Sequence, residues 1–108
     1  MPEASGFDPG QLDRLIHAPV RLAAVSALYS GGEETFAALK KVTGATDGNL
    51  TAHLQVLEQH GVLKVRKRFV ERRPCTSYRL TDKGRALFRG YVEMMARMVR
   101  EHSGEAPG

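Results

Sequence analysis

The sequence holds one cysteine, Cys75, in 108 residues. No disulfide can therefore form within the chain, and one subunit alone cannot assemble a cysteine-based metal site. Long apolar runs are missing too, with nothing near the roughly 20 residues that a membrane-spanning helix needs. The opening MPEASGFDPG shows no cationic start leading into an apolar run, so no secretory signal is visible and a cytoplasmic protein is expected. Enzyme signatures are equally scarce. There is no glycine-rich phosphate loop, zinc-protease motif or nucleophile elbow, and no pair of carboxylates in a distinctive setting. Asp47 beside Gly48 reads more simply as a helix start than as a catalytic acid. No enzymatic activity, metal or cofactor is expected. Aromatic residues make up only 6% of the chain. Only Phe69 lies among the basic residues, which argues against the stacking platforms that hold splayed RNA bases.

What the chain does have is positive charge, unevenly placed. The formal net charge is +4, a balance that favours an anionic partner. Between positions 64 and 73 stand Lys64, Arg66, Lys67, Arg68, Arg72 and Arg73, opposed only by Glu71. The length suits one domain, expected over residues 7–102 with flexible ends at 1–6 and 103–108. A domain this small often gains stability from a second subunit.

Helix signals fill most of the chain. Asp8 can cap a helix with Pro9 at its first position, and Leu12, Leu15 and Ile16 fall on one face of it. Pro19 can open a second helix, with Val20, Leu22, Val25 and Leu28 at helical spacing and Gly31-Gly32 as its stop. Glu33 to Val42 reads as a third helix, with Phe36, Leu39 and Val42 on a stripe and Gly44 as the break. Thr46 caps a fourth. The third and fourth helices, joined by the short turn at Thr43-Gly44-Ala45, make a helix-turn-helix. Gly61 is placed to end the fourth helix in a left-handed conformation. Then the period changes to two. VLKVRKRF and TSYRL alternate and should pair as an antiparallel hairpin, with Val70 to Pro74 as the turn. Thr81 caps a long last helix with Leu87, Phe88, Tyr91, Met95, Met98, Val99 and His102 along one stripe.

The fourth helix carries the sharpest functional signal. At 100° per residue, Leu50, Leu54 and Leu57 gather on one side. The opposite side shows Gly48, Thr51, Ala52 and Gln55, flanked by Asn49 and Val56, with Gln59 further along. A helix that meets only water usually carries Lys and Glu. This small, neutral-polar face suits the DNA major groove, where Gln and Asn can pair with adenine and Thr and Ala methyls can meet thymine. A face packed on another protein is the alternative. His53 falls between the two sides and is expected to bond backbone or phosphate. The cations of the hairpin, Lys64, Arg66, Arg68, Arg72 and Arg73, are candidates for phosphate contacts. Phe69 and Val70 are expected to pack against the hairpin base rather than wedge at the DNA. Cys75, near Arg72 and Arg73, reads as a small strand residue before a redox sensor.

Two stretches, TDGNLTAHLQVLEQHGVLKV and RRPCTSYRLTDKGR, resemble the winged-helix transcriptional regulators of the MarR/ArsR type. The likeness is strongest to a compact subgroup with a T-D-G-N-L helix and an R-R-P-x-T-x-Y-x-L-T wing. It extends over PVRLAAVSALYSGG and TFAALKKVTGA, most of the chain. The resemblance implies a mainly α winged helix-turn-helix with a small antiparallel β-wing. It implies a homodimeric repressor or activator that binds double-stranded DNA, with Thr46, Gly48, Asn49, Thr51, Ala52, His53 and Gln55 at the major groove and the wing on the backbone. The first and last helices of such regulators commonly form the dimer interface. That role falls here to Leu12, Leu15, Ile16, Tyr91, Met95, Met98 and Val99, and two subunits would match a palindromic operator. The Cys-x-Cys motif of ArsR metal sensors is absent. A winged-helix module that binds protein within a larger assembly is the competing reading.

Overall fold

The computed structural model describes residues 14–104. The expected start at Asp8 and Pro9, the apolar Leu12, the terminus 1–6 and residues 105–108 of the expected flexible end 103–108 lie outside the described residues, whereas 103–104 continue the last helix. Residues 14–16 are helical and lead into α1, Pro19–Gly31, which has proline in its first turn and stops at Gly32 with φ 89°. β1 is Glu33–Thr35, α2 is Phe36–Thr43 and α3 is Asp47–Gln59. β2, Leu63–Val70, and β3, Arg73–Leu80, precede α4, Asp82–Gly104. Strand β3 lies between β1 and β2, and both pairings are antiparallel. The chain is thus mostly helical with one three-stranded sheet, as the resemblance implied. No helix among the described residues is long and apolar enough to cross a membrane.

Two boundaries differ from the sequence reading. Glu33 to Thr35 form a strand, not the first turn of a helix, because they add to the open edge of β3 with Glu33 opposite Arg79 and Thr35 opposite Ser77. The helix starts only where the Thr35 hydroxyl accepts from the Ala38 amide at 3.1 Å. The hairpin turn is also tighter than expected. Val70 pairs with Arg73, leaving just Glu71 and Arg72 to turn, at φ 53° and 69°. That is the two-residue primed turn whose twist matches the strands, made here without glycine.

The other stops are as the sequence indicates. Gly44 ends α2 at φ 71°. Gly61, at φ 74°, closes α3 with a paired cap: its amide donates to Glu58 O and the next amide, of Val62, donates to Leu57 O. Crossed bonds of this kind satisfy carbonyls that a helix end would otherwise strand.

The core runs through Ala24, Val25, Leu28, Leu39, Leu50, Leu54, Leu57, Val62, Leu63, Tyr78, Leu80 and Leu87. Ile16 and Tyr91 belong to it as well, at 0% and 5% exposure. This corrects their expected place on a subunit seam: the short helix before α1 folds back onto its own protomer, and His17 Nδ1 meets the Tyr91 hydroxyl at 3.0 Å. Leu15 is half-buried and packs on the same core. Past Tyr91 only one face of α4 still meets the core, through half-buried Met94. Val92, Met95, Met98 and Val99 are exposed along it. Val42, expected on the α2 stripe, is also exposed, because three-residue steps drift off a 3.6-residue helix face.

Candidate nucleic-acid interface

Helix α3 presents its small polar face to solvent. The Thr46 hydroxyl accepts from the Asn49 amide at 3.2 Å, which fixes the first turn. Asp47 in that turn favours the helix dipole and pairs with Lys40 of α2 at 2.7 Å, so its carboxylate meets a counter-charge across the helix-turn-helix. Leu50, Leu54 and Leu57 are buried, as the angular reading required. Thr46, Gly48, Asn49, Thr51, Ala52 and Gln55 are all exposed. They form a side-by-side set along the outward face of one helix anchored by three leucines.

His53 departs from its expected role. Its Nδ1 accepts from Arg21 Nε at 2.9 Å, while Arg21 also donates to Leu15 O at 3.1 Å. Partial burial, then the neighbouring Arg21 charge, holds the imidazole below its usual basicity. Neutral His53 therefore carries its proton on Nε2. The ring ties α3 to α1. Arg21 left no sequence signal, since its partner lies 32 residues away on another element.

The hairpin register sorts the wing into two faces. Cross-strand pairs Leu63–Leu80, Val65–Tyr78, Lys67–Thr76 and Phe69–Pro74 share the core-side face. Pairs Lys64–Arg79, Arg66–Ser77, Arg68–Cys75 and Val70–Arg73 share the other. The basic face thus combines Lys64, Arg66, Arg68, Arg73 and Arg79, with Arg72 at the turn. Arg79 and the core-side Lys67 were not among the expected phosphate contacts, although their exposure and pleat position put them on the same hairpin.

Glu33 complicates this surface. It stands opposite Arg79, accepts a short hydrogen bond from the Ser77 hydroxyl, and lies 3.5 Å from Arg66 and 4.0 Å from Arg68. The Ser77 bond, then Arg66, Arg68 and Arg79, hold its carboxyl below the usual range against the opposing effect of burial. Ser77 is 1% exposed, with Glu33 of β1 over it. Two of the expected phosphate-binding arginines thus already share an anion.

The wing tip gives the clearest correction. Phe69 is 74% exposed and Val70 46%, so neither packs on the hairpin base. The strands outrun the core: from Arg66 to the turn every β2 residue is exposed among the described residues.

A sequence model for winged helix DNA-binding domains matches residues 20–99. An uncharacterised protein of Methanocaldococcus jannaschii is 33% identical over 79 residues, covering 73% of this chain and 86% of its own. The structure of a transcriptional regulator homologue from Pyrococcus horikoshii OT3 aligns with a TM-score of 0.76 at 28% identity, over 82% of this chain and 87% of that one. A provisionally assigned MarR-family regulator of Enterococcus faecalis V583 has the same fold, with a TM-score of 0.79 at 22% identity over 93% and 94%. With α3 seated on its leucines and the β2–β3 wing beside it, the chain belongs to the family of winged helix DNA-binding domains.

Proposed function

We propose that the protein is a homodimeric transcriptional regulator that reads a palindromic site in double-stranded DNA, with α3 in the major groove and the wing along the backbone. The observation that carries this is the outward face of α3. Thr51, Ala52, Gln55 and Asn49 offer methyls and amides with no long charged chain to hold the helix off the bases. Beside it, the wing cations supply the sequence-independent grip on phosphates. Val92, Met95, Met98 and Val99 supply an apolar surface for a second subunit. A protein of this kind works where the chromosome is, which supports a cytoplasmic location. Nothing in this reading calls for catalysis.

The test is a duplex titration across several salt concentrations with a site selected from a random library. Replacing Arg66 and Arg68 by Ala should weaken binding to all duplexes alike and lower the salt slope by roughly two, about one per lost phosphate contact. Gln55→Ala should cost about 1–3 kcal/mol on the selected site and less on random DNA. A wild-type chain that binds no duplex even at low salt would defeat the proposal.

A further inference from the structure

Among the described residues, nothing covers Phe69. A large aromatic at 74% exposure is left in water at the far end of the hairpin, with Val70, at 46%, on the opposite face. Such surface is unfavourable unless something covers it. Its surroundings say what could. Lys67 shares the face of Phe69, Arg68 and Arg73 line the opposite face, and Arg72 lies at the turn, so the chemistry of the tip suits an occupant that is anionic at its rim and apolar where it meets the ring. The tip is also stiff. Glu71 and Arg72 turn in two residues at positive φ without glycine, and Phe69 lies directly across from Pro74, whose ring fixes its own φ. An apolar side chain held on a rigid, cation-flanked finger has the chemistry of a minor-groove wedge. The sugar-phosphate rails meet the cations, and the ring slips against or between base pairs.

We infer that Phe69 is an apolar wedge that enters the DNA minor groove at the wing tip and partly unstacks one base step. The inference rests on the DNA-binding reading above and adds a kind of recognition that α3 does not provide. The wedge would favour easily unstacked pyrimidine–purine steps about half a helical turn (about 5 base pairs) from the major-groove contact, and disfavour stiff A-tracts there.

The experiment uses the full chain, wild type and Phe69→Ala, on the library-selected duplex with 2-aminopurine placed in turn through its flanks. Wild type should raise the fluorescence at one step. Exchanging that step for an A-tract should weaken wild-type binding about tenfold. Phe69→Ala should still bind, give no fluorescence rise, and treat flexible and stiff duplexes alike, while Phe69→Leu keeps part of both effects. Because Phe69 is exposed, the circular dichroism of all variants should match. The same fluorescence and the same step preference in Phe69→Ala would overturn the wedge while leaving the DNA-binding reading intact. Affinity for phosphatidylserine vesicles that falls in Phe69→Ala, with DNA behaviour unchanged, would assign the tip to a membrane surface and overturn it too. A wild type that binds no duplex removes the DNA-binding reading and the wedge with it.

Discussion

Glu33 tempers the wing through a single carboxylate. Its contacts with Arg66 and Arg68 are long and partly exposed, so each is worth little to stability. Their effect on a polyanion is larger, because the carboxylate lowers the local positive potential where phosphate must approach. Glu33→Gln keeps a partner for Ser77 and removes the charge. It should raise affinity for any duplex roughly two- to fivefold, the scale of an exposed ion pair, and steepen the salt dependence. A titration of matched and random duplexes checks this; unchanged or weaker binding would mean that Glu33 orients the arginines instead of competing for them. His53 sets a second residue-scale expectation. Its basicity is lowered in the folded chain, so the unfolded chain takes up a proton first as pH falls. The stability it contributes is present above about pH 6.5, the ordinary histidine value, and is lost as pH falls through the lower folded value. His53→Gln, which can still accept from Arg21, should flatten that decline. Urea midpoints measured between pH 7.5 and 5 will show whether it does.

At the scale of elements, the start of α4 depends on one glycine. Thr81 accepts from the Gly84 amide at 3.0 Å and its amide donates to Val62 O at 3.0 Å, which clamps the helix onto the loop after α3. A Cβ on Gly84 would fall 2.0 Å from Val62 O, a backbone atom that cannot swing aside. Gly84→Ala should therefore cost about 1–3 kcal/mol despite the better helix propensity of alanine. The loss would register as a lower denaturation midpoint with an unchanged denaturant slope. Stability equal to wild type would show that the loop yields. Because this loop also holds the paired cap of α3 at Gly61, strain there would reach the end of α3.

For the whole molecule, the unanswered surface is the outer half of α4. Val92, Met95, Met98 and Val99 make an apolar stripe on a helix of 23 residues, on the side away from Tyr91 and Met94, which pack on the core. Soluble monomers seldom leave such a stripe bare, and methionines fill irregular gaps well. Pairing two copies along it would set two α3 helices about one DNA turn apart. Met95→Asp with Met98→Asp should yield a monomer that keeps its helical signal and loses tight binding to a palindromic site. Light scattering at micromolar concentration checks the first part, and a wild-type monomer there would overturn the dimer.

Sequence alone determined the features that local chemistry controls. The stops at Gly44 and Gly61 need a left-handed backbone, Thr46 and Thr81 need only their own helix ends to act as caps, and Leu50, Leu54 and Leu57 fall on one side by the helical period. Alternation likewise marked both strands of the wing. Tertiary structure decided what depends on distant partners. Three residues are too few to show a period, so β1 became visible only as an edge beside β3. Ile16 and Tyr91 looked like spare apolar surface until the chain folded back and buried both. Arg21 and His53, or Glu33 and Ser77, meet across 32 and 44 residues, where no spacing rule applies. Phe69 could be read as packed or free, and only the reach of the hairpin beyond the core left it in solvent. Periodicity records which face a residue takes on its own element; burial depends on whether another element arrives to cover that face.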